Sequence, residues 1–511
     1  MAPGAGGTVV RCRLFEGNSA LLNPGCSRRS LDHQRNSSVD AGADELPRFA
    51  MLPSGQTRFV VLIATVAALG GFLFGFDTAC INGAVSALTT HFKADSLVMG
   101  LSVSLALLGS AGGALMAGAV ADRHGRIRAM VIASVLFTLS AIGSGFPFTI
   151  WDFIFWRVLG GIGVGLASAV APAYIAEVSP PALRGRLGSL QQLAIVIGIF
   201  VALMTNYAIV RQAGSASSPW WLGMTAWRWM FWAEIPAAVL YGLGALCIPE
   251  SPRHLVRTGR TTEARGVLER ILGSGGTETL EEIRKSIRNE HPARWADLRA
   301  ATGGLLPIVW TGMALSIFQQ FVGINVIFYY SSVLWESVGF GETKALYVSM
   351  ITGGINIGTT LVAMALIDRW GRRPLLLFGS AGMAVTLATM AWCFGSASVA
   401  PGGALKLAPQ EAHIALVAAN AYVFFFGCSW GPVVWVMLGE MFGNQIRAAA
   451  LSLCASIQWV ANFAVSTSFP PLLSGLGLWA AYALYAFFAV TSFWFVWRRV
   501  QETRGRTLES M

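Results

Sequence analysis

Three charged side chains lie where charge is least expected, within long apolar segments. They are Asp77, Arg157 and Glu234. A charged group in the apolar interior of a membrane is costly and commonly marks an ion or proton path. Low polarity favours the neutral form of a carboxyl group, whereas a nearby guanidinium favours the carboxylate. A motion that changes the separation of Asp77 and Arg157 would therefore bind and release a proton.

Each of these residues also has a structural interpretation. Asp77 and Arg157 would have only a structural role if they formed a permanent salt bridge between two helices. Glu234 follows Trp232 closely and would then lie at a helix interface. Asp152, near the end of an apolar segment, is predicted to be an interfacial cap.

Charged residues also recur in a duplicated pattern. The run at 122–126 (DRHGR) returns at 368–372 (DRWGR), and the run at 249–253 (PESPR) is echoed at 502–506 (ETRGR). Glu177 with Arg184 returns as Glu440 with Arg447. Three features in the same order, displaced by about 250 residues, indicate an internal duplication. The sequence therefore predicts two similar halves.

The duplicated charges lie in short connections at one end of both halves. There they could pair across the junction in one conformation and separate in another, as a two-state latch. The alternative, that they only anchor the topology, explains the arginines but not the repeated acids. The residues predicted to form this cytoplasmic gate are Asp122, Arg123, Arg126, Glu177, Arg184, Glu250, Arg253, Asp368, Arg369, Arg372, Glu440, Arg447 and Glu502.

The elements that must position these residues are membrane helices. Hydrophobic residues make up 54% of the 511 residues and charged residues only 12%, whereas an average soluble protein is about a quarter charged. Runs of about 20 apolar residues, without the alternation of barrel strands, predict transmembrane helices. The twelve predicted spans are Phe59 to Val85, Leu97 to Ala121, Ala129 to Phe146, Trp151 to Tyr174, Leu187 to Val210, Trp229 to Ile248, Leu305 to Leu334, Ala345 to Ile367, Leu375 to Phe394, His413 to Leu438, Ala448 to Leu472 and Leu478 to Trp497.

The spans divide the chain into five parts. We expect a disordered cytoplasmic tail at 1–58, a six-helix bundle at 59–248, an amphipathic helical insert at 249–301, a second bundle at 302–498 and a short tail at 499–511. A translation start at Met51 is an alternative to the long tail. Arginines in alternate loops place both termini in the cytoplasm. The net charge of +10 therefore reflects topology rather than nucleic-acid binding.

Signals for an enzyme or a cofactor site are weak. The glycine run at 160–165 lies within an apolar span, with no preceding strand and no lysine, so helix packing explains it better than nucleotide binding. The histidines show no metal-ligand spacing. We predict no enzyme activity, cofactor or metal, and without an ATP-binding domain the energy must come from a gradient.

Six motifs lie along the chain in a specific order. They are 70–77 (GGFLFGFD), 156–157 (WR) with 160–163 (GGIG), 174–177 (YIAE), 249–253 (PESPR), 319–325 (QQFVGIN) and 502–505 (ETRG). Taken in order, these motifs resemble the sugar porter family of the major facilitator superfamily. The resemblance extends from Phe59 to Glu509 and is nearest to bacterial glucose/proton and xylose/proton symporters. It implies two pseudosymmetric six-helix bundles that alternate by a rocker-switch motion.

The resemblance implies a site for a neutral monosaccharide. Amides suit such a ligand because they donate and accept hydrogen bonds, and aromatic faces suit its CH surfaces. Buried amides that only join helices are the alternative, which we favour for the isolated Asn206. The substrate ligands implied by family position are Gln192, Gln319, Gln320, Asn325, Tyr329, Asn356, Gly431, Trp435, Gln458, Trp459 and Asn462.

The resemblance also implies proton coupling. Proton-linked sugar porters carry an acid at the position of Asp77, where many facilitative relatives carry an amide, and Glu234 would tune the coupling. We therefore expect a symporter that imports a neutral monosaccharide, with D-glucose foremost, through the plasma or inner membrane as a monomer. A passive hexose uniporter, a drug/proton antiporter and a sugar sensor are alternatives. Xylose and galactose remain open, because epimers differ in one hydroxyl orientation.

Overall fold

The computed structural model describes residues 54–180, 183–289, 295–299, 303–399, 405–443 and 446–503. Most of the chain in these ranges is helical, and one short ladder pairs Ser398 with Lys406 and Val399 with Leu405. The helices before residue 300 are α1 (Ser54–Cys80), α2 (Val85–Phe92), α3 (Ser96–His124), α4 (Arg126–Gly145), α5 (Ile150–Val178), α6 (Arg184–Ala213), α7 (Ala226–Trp232), α8 (Ile235–Cys247), α9 (Pro252–Arg257), α10 (Thr261–Leu272) and α11 (Gly276–Asn289).

The remaining helices continue the pattern. They are α12 (Pro307–Phe321), α13 (Ile324–Ser337), α14 (Glu342–Trp370), α15 (Arg372–Gly395), α16 (Pro409–Gly427), α17 (Trp430–Met441), α18 (Arg447–Gly475) and α19 (Leu478–Arg499). In the described ranges, twelve segments are long and apolar enough to cross a membrane. The predicted all-α membrane fold with twelve spans is therefore confirmed. Helix α1 begins at Ser54, earlier than the expected boundary at Phe59, and the tail before residue 54 lies outside the described residues.

Spans 1 to 5 are α1, α3, α4, α5 and α6, and span 6 is α7 with α8. Span 7 is α12 with α13, spans 8 and 9 are α14 and α15, span 10 is α16 with α17, and spans 11 and 12 are α18 and α19. We call spans 1 to 6 the first half and spans 7 to 12 the second half. The end of the helices that carries the loops around 125 and 371 is called the motif end.

Three of the spans are broken, two of them at residues whose type explains the break. Pro236 stands near the start of α8 and has no N–H for a continuous ladder, so span 6 breaks around Glu234. Gly323 has a left-handed φ of +83° between α12 and α13, which glycine adopts without strain. Span 10 breaks at Ser429. Broken membrane helices are tolerated where backbone groups find partners or line a cavity, so these breaks indicate candidate sites.

The two halves contact each other at the end opposite the motif end. The Asn82 amide donates to the carbonyl of Phe328 over 3.0 Å. The Ser86 hydroxyl donates to the Glu336 carboxylate over 2.7 Å. Ser104 likewise pairs with Thr467, and the Ala216 N–H donates to Glu342. The structure is therefore closed at this end.

Candidate functional site

The salt bridge predicted from sequence lies deep in the first half. Arg157 donates from Nη1 to Oδ1 of Asp77 over 2.6 Å and from Nη2 to the Asp77 carbonyl over 3.1 Å. The two side chains are each 2% exposed. Gly160 lets span 4 approach, because a Cβ there would lie 3.4 Å from Asp77 Oδ1 and 2.4 Å from the Ser140 hydroxyl.

Glu234 joins this pair at the break in span 6. Its carboxylate, the Asp77 carboxylate and the Cys80 thiol offer polar atoms within 4.8 Å of one another. Oε1 of Glu234 and Oδ2 of Asp77 are buried and have no hydrogen-bond partner. The Arg157 guanidinium is bonded to Asp77, and Glu234 adds a second carboxyl group beside this pair, so a proton would balance the remaining charge. The nearby guanidinium makes the same cluster a poor site for a divalent cation.

A chain of amides crosses the break in span 7. Asn325 donates to Gln320 Oε1 over 2.6 Å, and Gln320 in turn donates to Gln319 Oε1 over 3.5 Å. Gln319 donates to the backbone carbonyls of Trp430 and Gly431 over 2.9 and 3.1 Å. Since Gln319 bonds the backbone of span 10, the amide chain fastens the broken part of span 7 to the broken part of span 10.

A second polar group lies on span 11. Asn462 donates to the Tyr329 hydroxyl over 3.4 Å and accepts from Ser466 over 3.1 Å. The Trp459 ring lies 5.5 Å from that of Phe74, centroid to centroid, and so touches span 1 of the other half. These contacts bring a further group of predicted ligands to the junction between the halves.

The other predicted ligands occupy varied environments. Gln192 is half-buried on span 5, and Trp435 is 41% exposed on span 10. Asn356 is buried, with its carboxamide oxygen facing Gly427. Gln458 is buried, and its Oε1 has no hydrogen-bond partner. The structure does not join these four into the amide chain.

Four of the predicted gate residues form one network at the motif end of the first half. Arg126 contacts Glu177 through two hydrogen bonds of 2.9 and 3.1 Å and Asp122 at 3.4 Å. Glu250 accepts from the backbone N–H of Arg126 at 3.0 Å, where the positive end of a helix favours a carboxylate. Gly125 has a φ of +95°, and a Cβ there would lie 2.3 Å from Glu250.

The second half repeats this network. Arg372 contacts Glu440 at 2.7 and 3.0 Å. Glu502 accepts from the N–H of Arg372 at 3.0 Å, and Gly371 has a φ of +92°. Thr503 donates to Glu440 as Ser251 donates to Glu177. The duplication read from the sequence is therefore also a duplication of contacts.

These ion pairs differ from the expected latch in one respect. Arg126 with Glu177, and Arg372 with Glu440, each join elements of the same half. Pairing across the junction stays a prediction for another conformation. Arg123, Arg253 and Arg369 lie at the same end, whereas the side chains of Arg184, Asp368 and Arg447 lie outside the described residues.

Sequence reasoning missed several residues of these sites. Cys80 lies three residues after Asp77, but its role as a neighbour of Glu234 depends on how span 6 packs. Arg257, which pairs with Asp122 at 2.8 Å, carried no motif signal. Ser251 and Thr503 could have been found, since each directly follows the glutamate of a repeated motif.

Comparison with known proteins decides the family. The family described as sugar (and other) transporter matches residues 63–511. The chain belongs to this family. The glucose transport protein of Synechocystis is 62% identical over 459 residues, which cover 90% of this sugar transporter and 98% of the relative. The D-xylose-proton symporter of Escherichia coli is 37% identical, covering 89% and 96% of the two chains.

A solved structure agrees with the fold. The inward-open conformation of the xylose transporter XylE from Escherichia coli matches with a TM-score of 0.76 and 36% identity, covering 88% of this sugar transporter and 99% of that chain. The resemblance read from the motifs and the fold it implied are confirmed. The protein is a multi-pass membrane transporter.

Proposed function

We propose that this sugar transporter imports D-glucose together with a proton. The name of the 62% identical relative, a glucose transport protein, supports the sugar. Relatives named as proton symporters support the driving ion. The observation that carries the coupling is the buried cluster in which Glu234 lies beside the ion pair of Asp77 and Arg157. Such a cluster gains a proton at little electrostatic cost.

The sugar would bind between the halves, against the broken spans. Asn325 and Gln320 offer carboxamides there, and a hydroxyl of the sugar could enter the amide chain as donor and acceptor at once. The Trp459 ring would pack against CH groups. The other proposed ligands are Gln192, Gln319, Tyr329, Asn356, Gly431, Trp435, Gln458 and Asn462.

Coupling would follow from the position of Asp77. Span 1 carries Asp77, and its end contacts span 7 through Asn82 and Phe328. Protonation of Asp77 removes the charge that holds Arg157 at 2.6 Å and so frees span 1 to move relative to span 4. Sugar on span 7 and proton on span 1 would then favour the same rearrangement.

The gate networks would set the direction of opening. We propose that the motif end faces the cytoplasm of the cell, as the arginine-rich loops indicate. The contacts between the halves at the opposite end then close the outer side, and the described conformation faces inward. Closing the motif end would require the two gate networks to approach each other. One chain would contain the whole pathway, so we propose a functional monomer in the plasma or inner membrane.

The test is Asp77→Asn in proteoliposomes with an imposed pH gradient. Glucose accumulation should fall to the equilibrium level, because an amide cannot load and release a proton. Exchange of labelled for unlabelled glucose should persist, since it needs no net proton movement. Asp152→Asn is the matched control, because Asp152 lies at the exposed start of span 4, where it accepts from the Phe148 N–H and Thr149 is the N-cap, and it lies outside the cluster.

Undiminished accumulation by Asp77→Asn would refute symport and favour the passive uniporter. Competition of labelled glucose uptake by xylose, galactose and other monosaccharides tests the substrate separately. A stronger effect of xylose than of glucose would refute the proposed sugar while leaving the coupling intact.

A further inference from the structure

The side chains that contact the Asp77 carboxylate belong to the first half. Its neighbours are Arg157 and Gly160 on span 4, Ser140 on span 3 and Glu234 on span 6. Asp77 and Glu234 are both buried. A proton that leaves this cluster therefore needs polar groups or buried water to carry it.

Spans 1, 4 and 6 meet a second time, two helical turns nearer the motif end. Gly70 on span 1 precedes Asp77 by seven residues, Ala167 follows Gly160 by seven, and Tyr241 follows Glu234 by seven. These residues meet, because a Cβ on Gly70 would lie 2.7 Å from the Tyr241 hydroxyl and 3.2 Å from Ala167 Cβ. At 1.5 Å per residue, the two levels are about 10 Å apart.

Two polar groups at this level have no partner. The Tyr241 hydroxyl is fully buried and makes no hydrogen bond. The carboxamide of Gln191, on span 5, is also buried, and neither its oxygen nor its nitrogen has a partner. It lies against Gly71, where a Cβ would be 2.9 Å from the amide nitrogen. Leaving such groups unsatisfied costs about 1–3 kcal/mol each, so buried water is the expected partner.

We propose that Tyr241 and Gln191 line a hydrated proton-release route from the carboxyl cluster towards the motif end. The inference rests on the proposed symport, because a uniporter needs no such route. The gap of about 10 Å corresponds to roughly three or four hydrogen-bond steps of about 2.8 Å. The protonated carboxyl gives its proton to the first water and becomes a carboxylate. The Tyr241 hydroxyl accepts a proton from one side, passes its own to the other and ends unchanged.

The adjacent glycines let these two groups lie directly against span 1. Side chains at Gly70 and Gly71 would occupy the space into which the hydroxyl and the carboxamide point. The two groups come from different helices, span 6 and span 5, and both face the same turn of span 1. Two unpartnered polar groups therefore lie at the same level of span 1, each against one of two adjacent glycines.

The experiment compares two transport modes of Tyr241→Phe in proteoliposomes. Proton-driven net uptake requires proton release, whereas exchange of labelled for unlabelled glucose does not. Net uptake should fall at least about tenfold, since a positioned proton-transfer group contributes about a hundredfold or more, and exchange should stay within about twofold of the wild type. Gln191→Leu should shift the same ratio in the same direction.

Tyr482→Phe is the matched control. The Tyr482 hydroxyl is also buried and unpartnered, but it lies in the second half beside Phe394 and Tyr485. Its removal should change neither mode. Equal losses of net uptake and exchange in Tyr241→Phe, or no loss in either, would overturn the proposed route. A wild-type protein without proton-driven accumulation would refute the proposed symport instead.

Discussion

Removal of the Tyr422 hydroxyl should weaken glucose binding, although this hydroxyl is not one of the proposed sugar ligands. The Tyr422 hydroxyl on span 10 donates to the carbonyl of Val322 over 2.7 Å. This carbonyl stands at the break in span 7, directly before Gly323 with its φ of +83°. The break separates Gln320 from Asn325, so its geometry positions the amides proposed to bind the sugar.

The size of the effect follows from the burial of this contact. Tyr422 is completely buried, so in Tyr422→Phe the carbonyl loses its donor where water has poor access. An unsatisfied buried acceptor costs about 1–3 kcal/mol, which corresponds to about a 5- to 150-fold change in an equilibrium constant. We expect the glucose dissociation constant to rise within that range and the melting temperature to fall.

The assay is calorimetric glucose binding in detergent, together with a thermal unfolding curve. Tyr482→Phe is the control, because its hydroxyl is equally buried yet has no hydrogen-bond partner to lose. If Tyr422→Phe bound glucose as tightly as this control, the hydroxyl would not position the break, and the reasoning would be refuted.

Three further predictions concern packing, charge and pH. Gly75→Ala should destabilise the protein by about 1–3 kcal/mol or more, because the added Cβ would lie 2.0 Å from a carbonyl oxygen of span 5. Gly112→Ala is the control, since Gly112 has open space around it, and its melting temperature should equal that of the wild type. Glu177→Gln and Glu440→Gln should lower the melting temperature by similar amounts, since each substitution deprives a largely buried arginine of its charged partner. A lower melting temperature in only one of the two variants would contradict the equivalence of the two networks. Burial lowers the pKa of His254 below 6.5. This residue therefore contributes stability above pH 6.5 that is lost as the pH falls below 6.5, because the unfolded state then binds more protons than the folded state. His254→Asn should remove this pH dependence from the melting temperature, and an unchanged pH profile would contradict the prediction.

The charged motifs show how far sequence could go. Arg126 and Glu177 could be assigned to one gate because their pattern recurs around Arg372 and Glu440. The sequence could not show that Glu250 and Glu502 bind backbone N–H groups at helix starts, or that the ion pairs stay within each half. Those contacts depend on how each half packs, which a repeated motif does not record.

The functional cluster shows the same division. Apolar runs, a duplicated motif and a buried acid determined by themselves that this chain is a twelve-span, two-half carrier, because membrane insertion depends on the local apolarity of each segment. Only the tertiary structure decided that Glu234 and Cys80 lie next to Asp77, and that the Tyr241 hydroxyl packs against Gly70. The rotation and depth of each helix against its neighbours set these contacts. Both are fixed by packing between segments distant in sequence, where glycines allow close approach.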